Sequence, residues 1–203
     1  MLRLYDFHES GNGYKVRLLL HDLGVPFERV EVDVLRGETR TPEFLAKNPN
    51  GRIPLLEWRD GRRLAESNAI CWHLAEGSAW IPDDAFARAQ VLQWMFFEQY
   101  SHEPYVAVLR FWRFAGRVPA DPERVAEKEA GGYAALAVME RHLEGRAWLV
   151  GEAPTLADLA LYAYTHVAEE GGLALGRFPA VGAWLARFTA RPRHVPITKT
   201  TFP

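Results

Sequence analysis

The chain has 203 residues, of which 48% are hydrophobic and 25% are charged. These fractions are close to the average of soluble proteins and exclude a disordered or collagen-like chain. The formal net charge of −2 gives no basic footprint of the kind that nucleic-acid or anionic-lipid partners require. The single cysteine, Cys71, excludes an intramolecular disulfide, a Cys-rich zinc site and a C-x-x-C redox centre.

Two further absences bear on location. No stretch reaches the roughly 18 consecutive apolar residues that a membrane-spanning helix needs, so we expect no membrane partner. The first six residues, Met-Leu-Arg-Leu-Tyr-Asp, lack the basic-then-apolar pattern of a signal peptide. We therefore expect a cytoplasmic protein without a nucleic-acid partner.

The first part of the chain begins with a strand–helix–strand pattern. Residues 1–7 and 27–34 are predicted strands, the second because apolar and acidic residues alternate along it. Residues 14–23 between them carry apolar side chains at helical spacing, and Gly24 supplies the stop signal. A strand–helix–strand unit of this kind implies a parallel pair with a right-handed crossover.

A short helix, a hairpin and a third helix follow. Thr41-Pro42-Glu43 is a helix start, with a hydroxyl cap and a proline at the first helical position. Residues 55–58 and 62–64 form a predicted hairpin that turns at Asp60-Gly61, and Ser67 then caps a helix. The predicted order of this part is β-α-β-α-β-β-α.

From residue 82 onward the pattern is helical throughout. Predicted helices start at Asp83 or Asp84, at Asp121, at Thr155 and at Phe178-Pro179. We interpret Thr155-x-x-Asp158 as a structural capping box. The chain is thus predicted to have an α/β domain (1–77), a linker (78–85) and an all-helical domain (86–203).

This organisation resembles the glutathione transferase family, and four segments carry the resemblance, one of which is Thr155-x-x-Asp158, similar to the capping box of the family's C-terminal core helix. Residues 48–56, Asn-Pro-Asn-Gly-Arg-Ile-Pro-Leu-Leu, are similar to the loop that leads to the family's cis-proline. Residues 66–70, Glu-Ser-Asn-Ala-Ile, resemble its glutathione-holding turn, and residues 10–17 are similar to the serine-type bacterial and zeta- or theta-like branches. The resemblance implies a thioredoxin-like, glutathione-binding first domain and a helical second domain that lines the electrophile pocket.

The resemblance also implies that Ser10, with Asn12, stabilises the thiolate of glutathione. A thiol with a pKa of about 8.5 is only about 3% ionised at pH 7, and the thiolate is the nucleophile. Lowering that pKa by two units takes about 2.7 kcal/mol, which a hydroxyl donor and a helix N-terminus together can supply. On the pattern alone, Ser10 or Asn12 is the N-cap of the first helix. Asn12 is the main rival donor to the sulfur, and the resemblance makes Tyr5 a weaker one, because other branches of the family use a tyrosine near the end of the first strand.

The remaining glutathione contacts are implied in the same way. Pro54 is expected to be cis, with the Ile53 main chain pairing with the cysteinyl amide as a short added strand. Glu66 and Ser67, at the start of the third helix, are expected to hold the γ-glutamyl group. On the patterns alone, Pro54 is a trans proline in an ordinary loop. Ser67 is then a helix cap, and Glu66 is a solvated acid next to it.

Two sets of residues complete the expected site. The candidates for the cation that holds the glycyl carboxylate are Arg40, Lys47 and Arg52, of which Arg52 leads. The expected lining of the electrophile pocket is Phe7, His8, Tyr105, Leu109 and Trp112.

We therefore expect a homodimeric glutathione transferase that adds glutathione to a small apolar electrophile. Glutathione is its co-substrate, and no other cofactor is expected. No metal is expected either, because the seven histidines show no H-x-x-x-H or H-E-x-x-H spacing. The alternatives are a non-catalytic binding or regulatory protein on the same fold, or a glutathione-dependent peroxidase or isomerase.

Overall fold

The N-terminal residues form a four-stranded sheet with the strand order β2-β1-β3-β4. The computed structural model describes residues 1–199 and 201. Its strands are β1 (Leu2–Asp6), β2 (Phe27–Glu31), β3 (Leu55–Glu57) and β4 (Arg63–Ala65). β1 pairs in parallel with β2 and antiparallel with β3, and β3 pairs antiparallel with β4. The predicted parallel pair and the predicted hairpin are confirmed.

Three helices accompany this sheet, and they are α1 (Gly11–Asp22), α2 (Pro42–Leu45) and α3 (Ser67–Ala75). α1 is almost entirely buried, and α3 packs against it. On the sheet, Tyr5, Val32, Phe44 and Leu55 form one apolar cluster. Cys71 is buried in α3. The order of elements is that of the predicted thioredoxin-like domain.

The chain divides into two compact units. Unit 1 comprises residues 1–77 together with the segment that follows Arg191, and unit 2 comprises Ser78–Arg191. The structure thus groups the last segment with the α/β unit, whereas the predicted helical domain runs to residue 203.

Side chains of α1 explain why the last segment belongs to unit 1. Arg17 Nη1 donates to the carbonyl oxygens of Ile197 and Lys199 at 3.2 and 3.1 Å. Tyr14 Oη donates to the Val195 carbonyl at 2.5 Å. These bonds join residues about 180 positions apart, which no local sequence pattern reports.

Unit 2 is built from five α-helices, which are α4 (Ala85–Phe97), α5 (Glu103–Phe114), α6 (Pro122–Leu143), α7 (Leu156–Thr165) and α8 (Pro179–Thr189). Asp84, Asp121 and Thr155 cap α4, α6 and α7 through their side chains, as predicted. The sequence predicts no separate start for α5, because the chain enters it through a π-helical turn (Glu98–His102) without a side-chain cap. Within the described residues, no helix is long and apolar enough to cross a membrane.

The capping box of α7 has the structural role predicted for it. The fully buried Asp158 accepts hydrogen bonds from the main-chain N–H of Thr155 at 2.8 Å and of Leu149 at 3.0 Å. Its Oδ1 also accepts from the indole N–H of Trp184 at 2.9 Å. Burial raises the pKa of Asp158 in spite of these bonds. The carboxyl therefore connects three segments of unit 2.

In unit 1, the corresponding buried carboxyl is that of Asp6 at the end of β1. The side chains of Asp6 and Arg17 are both 0% exposed, and Arg17 Nε lies 3.1 Å from Asp6 Oδ2. Arg29 Nη1 of β2 lies 3.8 Å from the same oxygen. Burial raises the pKa of Asp6 to about 6, although both guanidinium groups oppose the shift.

The raised pKa of Asp6 gives the stability a defined pH dependence. We expect the free energy of unfolding of the wild type, relative to Asp6→Asn, to fall by about 3 kcal/mol as the pH rises from about 4 to about 6. In this range the folded protein still holds the proton that the unfolded chain has lost, so raising the pH favours unfolding. Above about pH 6 the difference should be level.

Urea unfolding of both proteins at about pH 4.5, 5.5 and 7 measures this difference. Other titrating groups cancel because the two proteins share them. A difference that stays constant, or that grows with pH, contradicts the expectation.

Candidate functional site

The loop before β3 contains a cis peptide bond between Ile53 and Pro54, as predicted. The buried side chain of Asn48 organises this loop: its Nδ2 donates to the Arg52 carbonyl at 2.7 Å, and its Oδ1 accepts from the Asn50 N–H at 3.2 Å. Within residues 1–199 and 201, the main-chain N–H and C=O of Ile53 have no hydrogen-bond partner. An extended peptide can pair with such an edge.

The three candidate cations differ in their contacts. Arg40 Nη1 donates to the Asn50 carbonyl at 3.1 Å, and Lys47 Nζ pairs with Glu43 at 2.7 Å. Arg52 is exposed, and in the described part of the chain its guanidinium has no ion pair. Arg40 has no ion pair among the described residues either, but its guanidinium is held by the Asn50 carbonyl, so Arg52 is the candidate whose guanidinium makes neither a hydrogen bond nor an ion pair in that part of the chain.

Ser10 is the N-cap of α1. Its Oγ accepts a hydrogen bond from the Gly13 N–H at 3.2 Å. The cap uses a lone pair of the hydroxyl oxygen and leaves the O–H proton to be donated elsewhere. Capping and donation to a ligand, which the sequence left as rival roles, are thus compatible in one side chain. The first turn of α1 holds no acidic residue, so its end stays electropositive.

The loop that carries Ser10 is held on both sides. The Ser10 N–H donates to the Phe7 carbonyl at 2.8 Å. Arg17 Nη2 donates to the His8 carbonyl at 2.7 Å. At Gly13 a Cβ would lie 1.5 Å from Asp6 Oδ1, so only glycine allows α1 to start this close to β1.

A buried polar cluster joins α1 to the start of α3. Ser67 Oγ donates to Asn12 Oδ1 at 3.1 Å, and Lys15 Nζ donates to the same oxygen at 2.9 Å. Lys15 Nζ also donates to Ser67 Oγ and Asn68 Oδ1, both at 3.4 Å. The sequence prediction missed Lys15. The sequence feature that could have pointed to it is the position of this lysine on the face of the first helix that otherwise carries Leu18 and Leu19.

The start of α3 differs from the prediction in one respect. Ser67 is the first helical residue rather than the cap, because its hydroxyl is directed to Asn12. The N-cap is Glu66, which has φ 68° and makes no side-chain cap. This left-handed conformation costs about 1–2 kcal/mol for a residue other than glycine. α3 therefore begins without a side-chain cap, beside the exposed carboxylate of Glu66.

Tyr5, the rival donor, lies in the sheet core. Its ring packs edge-on against Phe44, with centroids 6.3 Å apart. Its hydroxyl donates to Glu57 Oε1 of β3 at 3.4 Å. These contacts give Tyr5 a structural role in unit 1.

The residues expected to line the electrophile pocket divide between the two units. In unit 1, Phe7 is buried, and His8 is half-buried with its Nδ1 3.1 Å from Glu31 Oε1. In unit 2, Leu109 is buried in α5. Tyr105 and Trp112 of the same helix are half-buried. Their assignment to a pocket stays a prediction.

Two cations of α6 cover the aromatic rings of α5. Lys128 Nζ lies 4.9 Å from the centre of the Tyr105 ring, and the Arg124 guanidinium lies 5.6 Å from that of Trp112.

As for metals, no group of three or more His, Cys, Asp or Glu side chains among the described residues could hold an ion.

Comparison with known families matches both parts of the chain. The model described as "Glutathione S-transferase, N-terminal domain" matches residues 1–76. The corresponding C-terminal domain model matches residues 94–192. The solved structure of a glutathione S-transferase from Pseudomonas fluorescens Pf-5 is 51% identical. The match covers 98% of this chain and 99% of that one, with a TM-score of 0.95.

The names of two further relatives differ: one is a transferase-like protein and the other a transcriptional regulator. A glutathione S-transferase-like protein, LUC7 of a Fusarium species, is 35% identical over 91% of this chain and 87% of its own. The transcriptional regulator URE2 of Saccharomyces cerevisiae is 29% identical over 93% of this chain and 65% of its own. A solved structure of Ure2p in complex with glutathione is 27% identical, covers 95% of this chain and 90% of its own, and has a TM-score of 0.86.

The close approach at Gly13 predicts an unusual response to alanine. Gly→Ala inside a helix normally stabilises by about 0.5–1 kcal/mol. We expect Gly13→Ala instead to destabilise unit 1 by about 1–3 kcal/mol, because the added Cβ must displace the Asp6 carboxyl. The matched control is Gly182→Ala in α8, where a Cβ would meet nothing within 4 Å.

Thermal or urea unfolding of the two variants measures the contrast. The expectation fails when Gly13→Ala is as stable as the wild type, or when the two alanine variants shift stability in the same direction.

Proposed function

The chain belongs to the glutathione S-transferase family, and we propose that it binds glutathione in unit 1 and adds its sulfur to a small apolar electrophile. Glutathione is a co-substrate in this proposal, no resident cofactor takes part, and the setting is the cytoplasm. The relatives named as transferases and the structure of Ure2p in complex with glutathione support it.

Unit 1 offers a complementary group to each part of the tripeptide. The unpaired main chain of Ile53 suits the cysteinyl amide as a short added strand. The electropositive start of α3 at Ser67 suits the γ-glutamyl carboxylate, and the exposed carboxylate of Glu66 suits its ammonium group. The available charge of Arg52 suits the glycyl carboxylate.

The placement of Ser10 carries the catalytic part of the proposal. Its hydroxyl oxygen already accepts from Gly13, so its proton is the group left to donate to the sulfur. A hydrogen bond to the anion and the positive end of α1 both favour thiolate over thiol. Asn12, two residues after Ser10 in the first turn of α1, is the residue proposed to support Ser10, and its Oδ1 accepts hydrogen bonds from Lys15 and Ser67.

The reaction then needs only the thiolate and a suitably placed electrophile. The thiol proton leaves to solvent, and the sulfur lone pair forms the new S–C bond. In a substitution the leaving group departs with its bonding electrons, whereas in a conjugate addition a proton from water completes the product. The same thiolate can attack a hydroperoxide oxygen, in which case the O–O bond breaks and an alcohol leaves after taking up a proton, or it can isomerise a substrate by addition and elimination of the sulfur.

Removing the Ser10 hydroxyl tests the proposal. We expect Ser10→Ala and Ser10→Gly to raise the pKa of bound glutathione by about 1–2 units and to lower kcat about 10- to 100-fold, because each loses a hydrogen bond to an anion. The dissociation constant for glutathione should change little. The measurements are ultraviolet titration of bound glutathione and turnover of an activated aryl halide.

Two comparisons separate this role from capping. Glycine is tolerated at an N-cap at a cost of only a few tenths of a kcal/mol, so Ser10→Gly should lose turnover while keeping most of its stability. Thr155→Ala removes a cap in unit 2 and should cost about 1 kcal/mol of stability without moving the thiol pKa. Unchanged turnover in both Ser10 variants would transfer the role to Asn12.

A second candidate is a non-catalytic, glutathione-binding regulator, which the similarity to the transcriptional regulator URE2 favours. Such a protein would bind glutathione without lowering the pKa of its thiol. It would also turn over neither aryl halides nor hydroperoxides. The titration described for Ser10, made first on the wild type, distinguishes the two candidates.

We also propose that the chain forms a homodimer through unit 2. Phe86, Phe96 and Tyr100 are 72%, 68% and 86% exposed. Phe96 and Tyr100 stand four residues apart in continuous helical backbone, so their side chains lie on the same face. Burying such aromatic side chains against a second copy removes a large apolar area from water.

A charge on this face should separate the copies. We expect the double variant Phe96→Glu, Tyr100→Glu to sediment as a monomer at concentrations at which the wild type is a dimer. Val118→Glu, at another exposed apolar residue, serves as the control and should remain dimeric. Unaltered sedimentation of the double variant would exclude this face as the dimer interface.

A further inference from the structure

His8 lies two positions before Ser10, in the loop between β1 and α1. Both of its main-chain polar groups are bonded to charged side chains. Its N–H donates to Glu31 Oε1 at 3.2 Å, and its carbonyl accepts from Arg17 Nη2 at 2.7 Å. The imidazole Nδ1 lies 3.1 Å from the same Glu31 oxygen, and Nε2 lies 3.6 Å from Glu9 Oε1. The loop is therefore held at His8 from two sides.

The two charged side chains that hold the main chain of His8 are joined to each other through the end of β1. Glu31 Oε2 pairs with Arg29 Nη1 of the same strand, β2, and that nitrogen lies 3.8 Å from Asp6 Oδ2. Arg17 Nε lies 3.1 Å from the same Asp6 oxygen. The signs of the charges alternate along this network, which starts at the N–H of His8 and returns to its carbonyl.

Glu31 is a solvent-exposed member of this network. Its side chain is 40% exposed, whereas those of Asp6 and Arg17 are 0% exposed. Burial tends to raise the pKa of Glu31, but the hydrogen bonds from His8 and the pairing with Arg29 together lower it. The loop is thus bonded to an ionised acceptor, and such hydrogen bonds are stronger than those to neutral groups. A substitution of Glu31 removes contacts of the loop and leaves the Asp6–Arg17 pair in place.

We propose that Glu31 is a positioning residue for Ser10. It fixes the loop at His8, so that the Ser10 hydroxyl keeps the orientation in which it donates to the sulfur of bound glutathione. The main chain transmits this effect, because residues 7–10 form one turn that the hydrogen bond from the Ser10 N–H to the Phe7 carbonyl closes at 2.8 Å. The inference rests on the proposed function, since it assigns a residue that supports Ser10.

Positioning and direct electrostatics predict opposite effects on the thiol. A carboxylate near a thiolate disfavours the anion, so its removal would lower the pKa of the thiol. A carboxylate that keeps the Ser10 hydroxyl in place favours the anion, so its removal raises that pKa. The direction in which the pKa of bound glutathione changes therefore shows how Glu31 acts.

The test uses ultraviolet titration of bound glutathione and turnover of an activated aryl halide. Glu31→Ala removes the acceptor, whereas Glu31→Gln removes the charge and keeps an oxygen to which His8 can donate. The matched control is Glu28→Ala. Glu28 lies on the same strand, its side chain is 46% exposed, and it pairs with Arg3 of β1 at 3.0 Å rather than with the loop.

We expect Glu31→Ala to raise the pKa of bound glutathione by about 0.5–1 unit and to lower kcat about 3- to 10-fold at a pH below that pKa. This is a part of the effect expected of Ser10→Ala, because the hydroxyl is kept and only its orientation is lost. The dissociation constant for glutathione should change little.

Three further variants show whether the effect passes through Ser10. Glu31→Gln should restore most of the wild-type pKa and kcat, and Glu28→Ala should match the wild type in both. Glu31→Ala added to Ser10→Ala should raise the pKa no further, because the group that Glu31 positions is then absent. Two substitutions that act through one group are not additive in this way.

Each of four results overturns the inference. They are an unchanged or lowered pKa in Glu31→Ala, an equal rise in Glu31→Gln, an equal rise in Glu28→Ala, and a further rise when Glu31→Ala is added to Ser10→Ala. Glu31→Val, which suits a strand and also lacks an acceptor, replaces the alanine variant when that one fails to fold.

Failure of the proposed function is recognised separately. A wild type whose bound glutathione has the pKa of a free thiol, or a Ser10→Ala variant that keeps the wild-type pKa, refutes the proposed role of Ser10 itself. A raised pKa in Ser10→Ala with none in Glu31→Ala refutes only the role of Glu31. The two failures are therefore distinguishable.

Discussion

The buried pair of Asp6 and Arg17 is the interaction on which unit 1 depends. One guanidinium meets the carboxylate at the end of β1, the carbonyl of His8 in the loop that carries Ser10, and the carbonyls of Ile197 and Lys199 in the last segment. Removing one member of a buried pair leaves an uncompensated charge and costs about 3–5 kcal/mol. The strand, the loop and the last segment are thus held by a single side chain.

This arrangement explains how one serine can serve both structure and chemistry. A cap needs an oxygen lone pair, whereas a thiolate needs a proton, and a hydroxyl provides both. The double role requires that Ser10 be held in one position, since a mobile loop would not keep the hydroxyl directed at the sulfur of a bound ligand. The bonds of the neighbouring Phe7 and His8 carbonyls to Ser10 and Arg17 supply that rigidity. The proposed catalytic group is therefore positioned before any ligand arrives.

Local patterns predicted what local physics determines. The turn at Asp60-Gly61 and the capping box at Thr155 depend on neighbours within a few residues, and both were predicted from the sequence. The cis bond before Pro54 came from the resemblance rather than from spacing. What escaped prediction depends on contacts across the fold. The bonds from Arg17 to the last segment, and the hydroxyl of Ser67 directed to Asn12, join residues far apart in sequence.

The same distinction applies to charge. A net charge of −2 describes the chain as a whole and suggests no anionic ligand. Folding nevertheless places the starts of α1 and α3 in one unit, adds the buried ammonium of Lys15 between them, and leaves the carboxylate of Glu66 exposed. Electropositive helix ends act over about one turn, so their position matters more than the sum of charges. An anionic tripeptide with one ammonium group matches that local pattern, whereas no count of basic and acidic residues could have indicated it.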